Sequence, residues 1–233
     1  MEELRAIDDF RAFERKLAGR RDKGARTIVI PAGTCSQSSG ANDLIRVAKR
    51  ELLNRGLGGK IVLRITGCHG FCQMEPNVLV EPDGTFYPRV TMENMVRIIE
   101  AVTRGEVLSE LLLTDPKTKE PIEKARDIPF FARQVRTILG QNERVDPSRI
   151  VTYIAAGGYT ALSDVLAKWK PAEVVQAIKE SGLRGRGGAG FPTGRKWEML
   201  ALQQNGRGKF LVCNADEGDP GAYMNRAVLE GNP

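Results

Sequence analysis

Thr27-Ile-Val-Ile-Pro-Ala-Gly33 decides the fold of the N-terminal half. Its first four residues are all β-branched and suit a buried strand, which Pro31 and Gly33 then break. Downstream, Asn42 to Asn54 carries Leu44, Ile45, Val47, Ala48, Leu52 and Leu53 at helical spacing, and Gly56, Gly58 and Gly59 stop it. Lys60 to Ile65 is a second strand. Strand, helix, strand predicts a parallel βαβ unit.

Asn77 to Val80 and Phe86 to Val90 follow, split by Pro82-Asp83-Gly84, and read as a hairpin; Thr91 to Val102 reads as a closing helix. With a helix over residues 8 to 20 in front, residues 1–105 are expected to form a small α/β domain of the thioredoxin type. Residues 106–147 are charged and punctuated by Pro116, Pro121 and Pro129, which predicts a linker with one helix near Phe130 to Leu139. A second domain is expected over 148–233, with helices at 148–157 and 160–168. Pro171 is placed for the first turn of a helix running to about Ser181, and Lys209-Phe-Leu-Val-Cys213 reads as a buried strand.

The 233 residues, 41% of them hydrophobic, suffice for a real core in two domains. No run approaches the roughly 18 apolar residues of a membrane span, and the opening MEELRAIDDF lacks a basic n-region, so a cytoplasmic location is expected. The net charge of +6 includes the cluster Arg20, Arg21, Lys23 and Arg26, read first as a solvated basic surface. No nucleic-acid module or interleaved surface aromatics accompany it, so nucleic acid is not an expected partner.

Four cysteines are too few for a disulfide framework at this length, leaving metal binding or bystander thiols. Cys68 and Cys72 sit in Gly67-Cys-His-Gly-Phe-Cys72 after the second strand, and Cys35 follows the first. Adjacent parallel strands end side by side, so Cys35, Cys68 and Cys72 are candidate metal ligands in one corner. His69 reads as an exposed loop residue and Cys213 as a buried apolar thiol in the other domain.

Ser181 to Trp197 holds glycines at 185, 187, 188, 190 and 194 among cations at 184, 186, 195 and 196. Gly185, Gly187 and Gly190 formally satisfy a dinucleotide fingerprint, but that reading needs a strand before the loop and here a helix precedes it. A glycine-rich loop ahead of a helix starting near Thr193 still suits a phosphate, with Arg186 and Lys196 adding charge. Asn214-Ala-Asp-Glu-Gly-Asp219 at a strand end offers an amide and three carboxylates to a ring or sugar, or forms a polar turn.

Together these segments resemble the 51 kDa NADH-binding flavoprotein subunits of respiratory complex I and the diaphorase subunits of NAD-linked hydrogenases and formate dehydrogenases. The resemblance runs through Arg149 to Tyr159, the glycine-rich loop, and Asn214 to Pro233 with Asn225-Arg-Ala-Val-Leu-Glu230. It implies the first part of an α/β FMN- and NADH-binding domain. It also implies FMN contacts from Gly185, Arg186, Gly187, Gly188 and Lys196, with Asn214, Asp216 and Glu217 on the ribityl and ring side. Phe191 and Asp219 would approach nicotinamide, although the family usually has glutamate where Asp219 stands.

The cysteine spacing resembles thioredoxin-like [2Fe-2S] ferredoxins and the 24 kDa subunit domain, whose pattern is Cys-x4-Cys then Cys-x3-Cys. Cys68 and Cys72 match the second pair and Cys35 half of the first, but Ile30 occupies the remaining ligand position. Isoleucine donates nothing to iron, so two readings stand: a cluster with Ser36, Ser38, Ser39 or His69 as substitute, or a cluster-free structural domain. The resemblance implies an NAD(P)H dehydrogenase subunit passing electrons through FMN to iron-sulfur centres, partnered by a 24 kDa-like ferredoxin subunit and an iron-sulfur catalytic subunit. A [4Fe-4S] centre is expected only in a C-terminal part beyond Pro233, and the flavin domain is expected to be cut within its nucleotide site. A non-catalytic docking fragment without cofactor is the alternative.

Overall fold

The computed structural model describes residues 4–18, 24–204, 206 and 208–232. Arg20, Arg21 and Lys23 of the basic cluster, and the last two residues of the expected first helix, lie outside them. The chain divides into two compact units, Met1–Arg15 with Gly157–Ala215, and Lys16–Ala156 with Asp216–Pro233.

α1 (Ile7–Ala18) opens the described chain. The larger unit then builds a four-stranded sheet from β1 (Arg26–Pro31), β2 (Ile61–Thr66), β3 (Val78–Glu81) and β4 (Thr85–Tyr87) in the order β2-β1-β3-β4. β1 runs parallel to β2 and antiparallel to β3, which pairs antiparallel with β4. This mixed order is the thioredoxin-like α/β arrangement. Between the strands lie α2 (Thr34–Ser38) and α3 (Ala41–Asn54), and α4 (Met92–Arg104) follows the hairpin.

The sequence sets these elements locally. Thr91 Oγ1 accepts the Asn94 amide at 3.2 Å and caps α4, while Gly105 at φ 76° ends it in the left-handed region. Leu44, Ile45, Val47, Ala48 and Leu52 of α3 pack with Met95, Ile98, Ile99 and Val102 of α4 around Ile28 and Ile30. Ile30 is fully buried there. A side chain of that size contributes about 1.5–3 kcal/mol when withdrawn from water.

The segment expected as a linker adds β5 (Leu113–Thr114), antiparallel to β6 (Pro121–Ile122), and α5 (Pro129–Ala132) to this unit. The helix expected to run from Phe130 to Leu139 is only those four residues long. Phe130 and Phe131 turn into an aromatic cluster with Phe71 and Phe86 instead, Phe71 stacking on Phe130 at 4.1 Å. Burying aromatic surface wins over continuing a helix that Arg133 and Gln134 would leave in water. α6 (Ile150–Ala155) closes the continuous part of the unit.

The smaller unit consists of the start of α1 with α7 (Thr160–Lys168), α8 (Pro171–Glu180) and α9 (Thr193–Leu202). Arg11 pairs with Asp164 at 2.9 Å, and Glu14 accepts from Thr160. The strand expected at Phe210 to Cys213 is absent. Phe210, Leu211 and Val212 are exposed, and Cys213, expected to be buried, is exposed too. A strand is held by hydrogen bonds from a neighbour, and no described strand lies beside this one, so its apolar residues have nothing to pack against. α10 (Met224–Gly231) returns to the larger unit.

Candidate functional site

The β1–β2 register places Pro31 opposite Thr66, so the loops leaving both strands emerge together. The first carries Cys35 within α2 and the second carries Cys68 and Cys72. All three cysteines line one 560 Å³ cavity, with Leu139, Tyr223 and Met224 among its other walls. Gly33 is what lets the loops meet, because a β-carbon there would lie 2.8 Å from Cys68 Cβ. The neighbouring Cys72 thiol, then burial, raise the pKa of Cys35; burial raises that of Cys68, whose Sγ accepts the Gly70 amide at 3.2 Å.

Phe71, between the two cysteines of the second loop, anchors that loop by stacking in the aromatic cluster. From the other side, Asn142 Nδ2 donates to the carbonyls of Cys68 and of Ala227 in α10, at 3.1 and 3.2 Å. Gly67 and Gly231 permit this approach, since a β-carbon on Gly67 would fall 2.5 Å from Gly231 Cα. No periodicity or motif in the sequence singles out Asn142, whose role comes from tertiary packing alone.

His69, expected in an exposed loop, is buried at 3% exposure. Its Nε2 lies 2.8 Å from Thr66 Oγ1 and its carbonyl accepts Arg136 Nη2 at 2.7 Å. Burial, with the nearby Arg136 charge, pushes its pKa down to about 3, so the ring is neutral. The glycines around it let the loop fold inward, which leaves the imidazole committed to Thr66. Glu75 is also buried, and burial pushes its pKa up to about 7 against the partial relief of Ser36 and Asn77 beside it. Its Oε2 accepts the Asn77 amide at 3.1 Å, while Oε1 and Ser36 Oγ lack a well-formed hydrogen bond.

A [2Fe-2S] centre takes four protein donors, most often thiolates. Three thiols converge here, but Ile30 faces the apolar core, His69 is held by Thr66, and Ser38 donates to the Thr34 carbonyl at 2.9 Å. Among the described residues no set of three or more His, Cys, Asp or Glu side chains is arranged to hold a metal ion. Ile30, His69 and Ser38 are thus ruled out as the fourth donor, while the buried Ser36 Oγ, without a well-formed hydrogen bond, stays available.

In the smaller unit, the glycine-rich loop is closed by a bridge between Arg184 and Pro192, with the Gly185 amide donating to the Phe191 carbonyl at 2.9 Å. Arg184 Nε donates to the Gly190 carbonyl at 2.6 Å, so this cation braces the loop. Gly188 at φ 107° and Gly190 at φ 60° make the reversal possible. Open space surrounds the would-be β-carbons of Gly187 and Gly188. α9 starts directly after the loop with no side-chain cap, and Lys196 sits 5.6 Å from the Phe191 ring centre. Uncapped amides, exposed glycine backbone, Arg186 and Lys196 fit an anionic phosphate.

Gly185, Arg186, Gly187, Gly188, Phe191, Lys196 and Asn214 belong to the smaller unit, whereas Asp216, Glu217 and Asp219 belong to the larger. Glu217 is already engaged locally, its carboxylate accepting the Asn225 and Arg226 amides at 2.6 and 3.1 Å at the start of α10. A carboxylate there satisfies amides that the helix leaves open.

Residues 178–233, spanning the glycine-rich loop, α9, the acidic segment and α10, match the Nuo51 FMN-binding domain family. The C-terminal quarter is thus similar to the Nuo51 FMN-binding domain. The NADP-reducing hydrogenase subunit HndC of Solidesulfovibrio fructosivorans is 60% identical over 89 residues, 38% of this chain and 18% of that protein. An NADH-quinone oxidoreductase subunit of Rhizobium meliloti is 50% identical over 88 residues, 38% of this chain and 21% of that one. The chain therefore spans about a fifth of the length of these relatives.

Among solved structures, a thioredoxin-like [2Fe-2S] ferredoxin from Aquifex aeolicus aligns at 22% identity with TM-score 0.36, over 39% of this chain and 98% of that one. An NAD+-reducing [NiFe]-hydrogenase chain aligns at 21% identity with TM-score 0.34, over 94% of this chain and 35% of that one. The Nuo51-type segment is joined in this protein to the thioredoxin-like sheet, and among the described residues no helix is long and apolar enough to cross a membrane.

Proposed function

We propose that this chain is part of an NAD(P)H-oxidising, FMN-linked electron-transfer subunit of a multisubunit oxidoreductase of the hydrogenase, formate dehydrogenase or complex I type. The Nuo51-type match over residues 178–233, on a loop whose open glycines and cations suit a phosphate, carries this reading. FMN, when bound, supplies the hydride acceptor and divides the pair into single electrons. Arg186 and Lys196 hold the phosphate, the amides at the start of α9 orient it, and Phe191 offers an apolar face toward nicotinamide. Asn214, in the same unit, adds a side-chain amide to the polar surroundings of the flavin. From the flavin, electrons would pass to iron-sulfur centres of the multisubunit oxidoreductase.

The test is anaerobic addition of NADH, and separately NADPH, to the FMN-reconstituted protein. Bleaching of the flavin's visible band supports the reading, and a flavin that stays oxidised with bound FMN contradicts it. Lys196→Ala lowers FMN content on this reading; unchanged occupancy removes Lys196 from the phosphate site.

For the thioredoxin-like sheet, the full burial of Ile30 favours a second reading, that this domain docks the subunit onto its partners without a cluster of its own. Iron analysis of the anaerobically prepared chain decides it, since about two irons per chain would exclude the cluster-free version.

A further inference from the structure

β2 is the edge strand of the four-stranded sheet, and together with residues 144–155 it lines a recess of 280 Å³. Arg64 of β2, Arg144 and Arg149 all line this recess, against a single carboxylate, Asp146. That carboxylate is already committed. Its Oδ1 accepts the Ser148 amide at 3.0 Å and the Ser148 hydroxyl at 2.6 Å, and its Oδ2 lies 3.5 Å from Arg149 Nε. Arg64 is held in place by Glu81 at 2.7 Å. Arg144 is exposed and has no carboxylate partner among the described residues. Val62, Leu63 and Val151 make the adjoining wall apolar, and Val62 is exposed on it.

We propose that this recess binds a small organic anion, an oxyanion head of phosphate or carboxylate carried on a short apolar body. A guanidinium presents forked N–H donors that match either head group in two parallel hydrogen bonds. Three of them against one satisfied carboxylate leave the recess cationic, and Arg144 supplies a charge that no protein group neutralises. The apolar wall favours a carbon skeleton and gives a bare inorganic anion nothing further to bind. The volume falls just below the roughly 300 Å³ at which pockets for drug-sized ligands begin, so the body is a single ring or a short chain. Arg64, Arg144 and Arg149 belong to the larger unit and Arg186 and Lys196 to the smaller, so this site is independent of the flavin reading.

Isothermal titration of the full chain with phenyl phosphate, benzoate and inorganic phosphate tests this. Phenyl phosphate or benzoate is expected to bind with a Kd of about 1 mM or tighter, and at least about tenfold more tightly than inorganic phosphate. The stronger of the two organic anions identifies the head group. Arg144→Ala and Arg149→Ala should each weaken that binding about tenfold, whereas Lys196→Ala should leave it unchanged. Arg144 is exposed and unpaired, so its replacement spares the fold, which a circular dichroism spectrum verifies. The proposal is overturned if neither organic anion binds, if inorganic phosphate binds as tightly as phenyl phosphate, or if affinity is lost in Lys196→Ala and kept in Arg144→Ala.

Discussion

Gly33 packs directly on Cys68: a β-carbon at Gly33 would stand 2.8 Å from Cys68 Cβ and 3.2 Å from its Cα. Backbone and β-carbon are the neighbours, so no flexible side-chain tip can move aside. Gly33→Ala is expected to force the loops after β1 and β2 apart and to destabilise the larger unit by about 1–3 kcal/mol. Urea unfolding checks this, and an unchanged midpoint would show that the loops yield without cost.

Glu75 makes stability depend on pH in a direction opposite to most carboxylates. Burial raises its pKa to about 7 from 4.5, so the folded state binds its proton more tightly than the unfolded chain does. The stabilisation is complete below about 4.5 and is lost as pH rises through about 7, amounting to about 3 kcal/mol at most. Glu75→Gln, uncharged throughout, should remove that slope. The measurement is the difference in unfolding free energy between variant and parent from pH 4 to pH 8, and a difference that stays flat across the range contradicts the assignment.

Glu217 caps α10 through the Asn225 and Arg226 amides. Glu217→Ala is expected to cost about 1 kcal/mol of helix stability and to speed amide exchange over residues 224–231. Exchange that is unaltered there, alongside weaker flavin binding, would move Glu217 from helix cap to ligand contact.

The thioredoxin-like sheet was legible because its signals are local and redundant. The β-branched run at Thr27 to Ile30, the one-sided apolar spacing of α3 and the Pro82-Asp83-Gly84 turn each specify one element, and their order specifies the topology. The convergence of Cys35, Cys68 and Cys72 followed from that topology, since parallel strands bring their ends together. His69 was misread because its burial depends on Thr66 and Arg136, one of them distant in sequence, and polar residues in glycine-rich loops ordinarily face water. Asn142 and Glu75 gave no sequence signal at all. Phe210 to Cys213 has a strand's composition, yet a strand is completed by its neighbours and none is described here.

The most direct measurement is a comparison of FMN and riboflavin binding to the protein by quenching of flavin fluorescence. The two ligands differ only in the phosphate, the group assigned to Arg186, Lys196 and the amides preceding and opening α9. Tighter binding of FMN by about tenfold or more, an advantage that Lys196→Ala reduces, is the predicted result. Equal affinity for riboflavin, or no binding of FMN, would contradict the flavin-phosphate reading of the Nuo51-type segment.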